Sequence, residues 1–296
     1  METKTYETRF RGLAWNRRGT LTLVGNGGRV LKIEGGREDM LDSGVKHNLR
    51  AASTNPANES TLIVGNAGSI IRLELDGSVT TLSSPTRENL RAVRWNNTGS
   101  RALIAGNNGT LINYTERTAS LIADGRANLR SVSWRPNSDE ALITSNCFAE
   151  EFIPSPNLFT LEPTNQVLNA VSEERSDLIG TDWNPDGNFA LVVGYDIVWH
   201  TGFIARFDGK SLHPIKFEND HVYPVSVAWD ATGKVAAIAT SAAQPHLGQG
   251  KILLWEGEEL KEVYRSNEFF FSQIAWSPAE FKFAAIASTD ARTFDT

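Results

Sequence analysis

The sequence predicts an all-β protein, a seven-bladed β-propeller with four-stranded blades. Three observations carry that expectation. A strand pattern ending in Trp recurs along the whole chain, and each copy is followed by a turn and then a continuously apolar run. The copies stand 39 to 49 residues apart, which is room for four short strands each.

With Trp95 as the marker, the equivalent positions are Trp15, Thr54, Trp95, Trp134, Trp183, Trp229 and Trp276. The copies read FRGLAW, LRAAST, LRAVRW, LRSVSW, LIGTDW, PVSVAW and FSQIAW. Turn formers follow, such as Asn96-Asn97-Thr98-Gly99 and Asn184-Pro185-Asp186-Gly187. Next come LTLVGN, TLIVGN, ALIAGN, ALITSN, ALVVGY, AAIATS and AAIAST. These second strands are apolar throughout rather than alternating, as befits a strand buried on both faces between neighbouring sheets. Asn107-Asn108-Gly109 between two strand-like runs signals a tight hairpin, because those residues tolerate positive φ.

The seventh copy, residues 271–296, holds three strands but not four. Residues 3–8 read as one more strand ahead of the first copy. The expectation is that this N-terminal strand completes the C-terminal blade and closes the ring, removing an open edge. The blades then run 10–48, 49–89, 90–128, 129–177, 178–223, 224–270, and 271–296 with 1–9. All 296 residues fall in one domain.

Composition excludes several classes. Hydrophobic content of 40% and charged content of 22% are those of an ordinary globular chain. A net charge of −6 argues against a general nucleic-acid binder. The single cysteine, Cys147, cannot form an internal disulfide. No apolar run approaches the length of a signal peptide or a membrane span, so a cytoplasmic location is expected.

The Trp-ended inner strand, the turn after it, the apolar second strand and the Gly-Asn hairpin together resemble the WD-repeat-like propeller superfamily. The hairpins of the first three copies are also similar to photosystem-assembly-factor-type propellers. The resemblance implies the architecture and no active-site residues. No Gly-His precedes the inner strands, and Trp255-Glu256 is the nearest approach to a Trp-Asp ending.

That topology puts the strand two–three connections on the face where the inner strands begin. There the sequence is asymmetric. The connections are tight in blades one to three and lengthen in blades four to six, at 146–155, 195–201 and 241–250. They carry Phe148, Phe152, Tyr195, Trp199, His200 and His246 as candidate partner-binding residues, since loops on a rigid scaffold are where binding groups collect. Four positions before the marker stand Arg11, Arg50, Arg91 and Arg130, replaced later by Ile179, Val225 and Ser272. Four guanidiniums at the channel mouth suit carboxylate or phosphate recognition. Bonding to the backbone or a carboxylate of the next blade would equally explain their recurrence. Asn48, Asn89 and Asn128 precede three of these strands as further donors.

The five histidines lack metal-ligand spacing, and no nucleophile elbow, P-loop or dinucleotide fingerprint is present. No catalytic residue, metal or cofactor is therefore expected. The function expected is a non-enzymatic scaffold or adaptor that presents this face to a protein or peptide partner, alone or within a larger complex. The alternative is a propeller that binds or hydrolyses a small anionic or carbohydrate ligand at the channel mouth.

Overall fold

The structure is a computed structural model. It describes residues 4–115, 118–146, 156–162, 168–172, 176–196, 198–217, 221–242, 249–257 and 259–288.

The inner strand of each repeat forms where the Trp-ended pattern lies. Blade one comprises β1 (Phe10–Trp15), β2 (Leu21–Gly25), β3 (Arg29–Glu34) and β4 (Arg37–Asp42). Blade two comprises β5 (Leu49–Thr54), β6 (Thr61–Gly65), β7 (Ile70–Leu73) and β8 (Val79–Leu82). Blade three is β9 (Leu90–Trp95), β10 (Ala102–Gly106), β11 (Leu111–Thr115) and β12 (Thr118–Ala123). Blade four is β13 (Leu129–Trp134), β14 (Ala141–Ser145), β15 (Leu158–Leu161) and β16 (Leu168–Ser172). Blades five and six have longer strands. They are β17 (Asp177–Trp183), β18 (Ala190–Asp196), β19 (Thr201–Phe207) and β20 (Leu212–Pro214), then β21 (Val222–Trp229), β22 (Val235–Ala242), β23 (Gly250–Glu256) and β24 (Glu259–Ser266). Among the described residues, a last sheet holds β25 (Phe270–Trp276) and β26 (Phe283–Ser288). Each sheet is an antiparallel meander in chain order.

The expected ring of seven four-stranded blades is therefore corrected. Among the described residues, six sheets have four strands and the last has two. Residues 4–9, expected to pair with that sheet, form no strand. Side chains decide their course. Lys4 Nζ and Tyr6 Oη both donate to Glu38 on β4, at 2.7 and 3.0 Å, and Tyr6 packs edge-on against Phe10 at 5.3 Å. Those two donors hold the Glu38 carboxyl below its usual pKa. These contacts fasten the segment to the outer strand of blade one, and the third strand expected beside it in the last blade falls at 289–296, outside the described residues.

The core is made by the second strands. Every residue of β2, β6, β10 and β14 is buried, which explains their unbroken apolar runs. Clusters such as Leu62, Val64, Leu90, Ile104 and Tyr114 lie between one blade and the next, so burial joins blades instead of filling each separately.

Hydrogen bonds reinforce the same joints. The indole N–H groups of Trp15, Trp134 and Trp229 donate to Ala275, Arg94 and Asp182 carbonyls of the preceding sheet. In these three copies the Trp is both wedge and latch between blades, whereas the buried indole N–H groups of Trp95, Trp183 and Trp276 find no acceptor among the described residues. Oδ1 of the Asn after the marker caps the turn, as Asn16 does for Arg18 and Thr20. The Nδ2 groups of Asn55 and Asn184 reach the next blade, at Gly99 and Gly233 carbonyls. Leu13 N–H to Gln273 and Ile274 N–H to Ser226 tie the two-stranded sheet to blade one and blade six.

Candidate functional site

One irregularity recurs in every inner strand. The register between first and second strands slips at Phe10/Gly12, Leu49/Ala51, Leu129/Ser131, Leu178/Gly180, Pro224/Ser226 and Phe271/Gln273, and opposite Leu90/Ala92. The residue skipped is the fourth before the marker: Arg11, Arg50, Arg91 or Arg130 in blades one to four. A β-bulge leaves one residue out of the ladder and turns its side chain. Each arginine is therefore carried by a bulge at the mouth of the ring.

The second strand shapes the bulge. Gly25, Gly65 and Gly106 end β2, β6 and β10, and a Cβ there would stand 2.3, 2.4 and 2.6 Å from the Arg9, Asn48 and Asn89 carbonyl oxygens. Only glycine lets the incoming chain cross so close. The Asn after each glycine donates its backbone N–H to that same carbonyl. Its Oδ1 accepts Nε of the blade's own arginine. Arg11–Asn26, Arg50–Asn66, Arg91–Asn107 and Arg130–Asn146 are 2.6, 2.8, 2.9 and 2.5 Å apart. A neutral amide oxygen thus orients each guanidinium through its Nε.

The four are close enough to repel. Arg50 is half-buried, and desolvation, followed by the fields of Arg91, Arg11, Arg9 and Arg130, lowers its pKa to about 9. Arg11 is lowered by burial and by Arg9. Arg9 joins the group although it precedes the first repeat, so periodicity did not reveal it. Asn48, Asn89 and Asn128 have a different task from the one expected. Their Oδ1 atoms accept the backbone N–H of Gly27, Ala67 and Asn108, pinning the hairpin of the preceding blade.

The cost of this charge is testable. A depressed pKa means the folded chain holds the proton less tightly than the unfolded chain. The penalty is therefore complete below pH 9 and is released as pH rises above it. Arg50→Gln is expected to stabilise the fold by on the order of 1 kcal/mol, discounted for solvent screening, or about 2 °C. Thermal melts of both proteins at pH 7 check this, and a lower melting temperature in the variant would contradict it.

The wall is built differently. In blade five, Tyr195 and Asp196 pair with Gly202 and Thr201, so the connection shrinks to residues 197–200. Tyr195 is buried and stacks on Tyr223, centroids 4.2 Å apart. His200 is half-buried at φ +54, with Nδ1 2.8 Å from Tyr223 Oη. Asp196 Oδ1 accepts the Val198 and Trp199 N–H groups, presenting both side chains outward at 61% and 68% exposure. The rigid base is Tyr195, Tyr223 and His200; the displayed apolar tip is Val198 and Trp199. Phe148, Phe152 and His246 lie outside the described residues. Among the described residues no three His, Cys, Asp or Glu groups stand together as a metal site.

Sequence reasoning also missed the opposite mouth. A cavity of about 360 Å³ lies there between Arg94, Trp95, Trp134, Asp182, Trp183 and Trp229. Asp182 is buried, and its Oδ1 takes Arg94 Nη2 at 3.0 Å and the Ser133 hydroxyl at 3.3 Å. Its Oδ2 accepts the Trp229 N–H at 2.9 Å. Burial raises its pKa. The only signal was local. The residue before the marker is Ala or Ser in the other five copies.

No family model and no curated protein matches this chain. No helix among the described residues is long and apolar enough to cross a membrane.

Proposed function

We propose that this chain is a non-enzymatic interaction scaffold that binds an acidic segment of a protein partner across the basic mouth. The observation that carries the reading is the fourfold Arg–Asn pair. Four consecutive blades hold a guanidinium at the same bulge, in the same orientation, within range of mutual repulsion. Clustered guanidiniums of this kind attract carboxylates, each fork matching a bidentate acid. The exposed Val198–Trp199 tip lies on the same face, one blade beyond Arg130, and supplies an apolar anchor of the kind that dominates interfaces. A WD-repeat-like lineage and cytoplasmic residence belong to the same proposal.

The test is affinity purification with wild type beside an Arg50→Ala, Arg91→Ala, Arg130→Ala triple variant. The variant is expected to keep its circular dichroism and melting cooperativity, because the joints between blades lie elsewhere, and to lose the partner. A folded variant that retains the same partner at the same yield would overturn the reading.

A further inference from the structure

The lower mouth, opposite the arc, carries charge that its packing does not need. At the position before the marker, a side-chain oxygen of one blade accepts the marker N–H of the next. Ser53 does this for Trp95 at 3.2 Å, Ser133 for Trp183 at 2.9 Å and Asp182 for Trp229 at 2.9 Å. A hydroxyl therefore suffices for the joint, and a buried carboxylate is the costlier choice unless it is paired. Asp182 is paired with Arg94, which holds the same position in blade three and reaches past blade four to meet it. What the pair adds, beyond what a serine supplies, is a guanidinium fixed at the mouth.

That guanidinium is only partly engaged. It has five N–H donors, and two of its edges can each grip a carboxylate. Asp182 takes one bond, from Nη2 at 3.0 Å, and Nε and Nη1 have no partner among the described residues. The Arg94 side chain is half exposed and lines the cavity of about 360 Å³, a volume within the ~300–1,000 Å³ of small-molecule sites. The other acid on the wall, Asp230, is occupied by its own turn, where it accepts the N–H and hydroxyl of Thr232 and the Val235 N–H. Asn97 and Asn137 are exposed on the wall, and their side chains make no bond among the described residues, so both amides can donate. Trp95, Trp134, Trp183 and Trp229, with Pro136 and Pro185, supply the apolar lining.

We propose that the lower mouth binds a small molecule with one carboxylate on a flat apolar body. The carboxylate lies on the open edge of Arg94, and the body rests against the tryptophans and prolines. Asp182 is the positioning residue that holds the fork in place. The site shares no residue with the arginine arc, so it stands or falls apart from the scaffold reading.

The test uses benzoate as the simplest such acid, beside benzamide, its uncharged counterpart, and benzylamine, which carries the opposite charge. Ligand-observed NMR titrations at pH 7 give the Kd of each. Benzoate is expected to bind with a Kd of ~1 mM and ~10-fold more tightly than benzamide. Arg94→Gln should weaken benzoate at least ~10-fold. Because that change leaves the Asp182 carboxylate without its cation, the double variant Arg94→Gln, Asp182→Asn is measured as well. It keeps an acceptor for the Trp229 N–H, folds as judged by circular dichroism, and should lose benzoate to the same extent. No benzoate binding up to ~10 mM would overturn the site. Equal affinity for benzoate and benzamide, or unchanged benzoate binding by the folded double variant, would overturn the role of the guanidinium. Tighter binding of benzylamine would overturn the choice of a carboxylate and assign the cavity to its two aspartates.

Discussion

Gly68→Ala is expected to cost this fold on the order of 4 kcal/mol, the largest loss from any single methyl group discussed. Gly68 stands at φ +69 in the hairpin after β6, and an added Cβ would lie 2.0 Å from the Thr86 carbonyl oxygen. Its N–H also donates to the Glu88 carbonyl at 2.8 Å, fastening the hairpin to the chain that enters blade three. The methyl group would strain the residue and push blade two away from blade three. The neighbouring turn contains its own control. Gly27 has a similar φ of +64 but nothing within 4 Å of the added Cβ, and the matching position in blade two is already Ala67, at φ +54. Gly27→Ala should therefore cost only ~1 kcal/mol, the ordinary penalty of the left-handed region. Denaturant midpoints of the two variants separate the effects. Equal losses would mean that conformation, and not the close approach, is what glycine supplies.

Asp182→Ala should cost about 3 kcal/mol. The carboxylate is the shared acceptor for Arg94, the Ser133 hydroxyl and the Trp229 N–H, and so it joins blades three, four, five and six at the lower mouth. Removing it orphans a buried backbone donor, at about 1–3 kcal/mol. Loss of the ion pair adds less, because the Arg94 side chain is half exposed and turns to water. Asp182→Asn keeps a carbonyl acceptor of the same shape and should cost ~1 kcal/mol. Since burial raises the Asp182 pKa, the folded chain holds this proton more tightly than the unfolded chain. Its contribution therefore falls as pH rises through the interval above the ordinary Asp value. Urea denaturation of both variants at pH 5 and pH 8 checks these points. An Asn variant as weak as the Ala variant would show that the charge, not the latch, holds the blades.

Much of this was legible because repetition makes local signals additive. FRGLAW and its copies placed the inner strands to within two residues, and the apolar runs placed the buried second strands. The arginines were visible for the same reason. What escaped depends on two places in the chain at once. The bulge under each arginine is a relation between two strands, and no single strand encodes it. Arg94 and Asp182 are 88 residues apart, and only the packing of blades brings them together. The N-terminal stretch reads as a strand, yet residues 4–9 form none, and Lys4 and Tyr6 bond Glu38 on the outer strand of blade one, 34 and 32 residues away. In blade five the residues read as loop at Tyr195 and Asp196 extend the ladder, because their partners Gly202 and Thr201 continue it.

The Arg–Asn pair lies wholly within one blade, the two residues 15 or 16 positions apart. A repeat that contains both residues therefore contains this bond whole, although Asn48, Asn89 and Asn128 at the entry to the next blade pin the hairpin beside it. Copies five to seven carry Ile179, Val225 and Ser272 at that position, so the bond is confined to blades one to four. On the scaffold reading proposed above, the number of copies carrying that arginine sets the length of acidic segment the face engages.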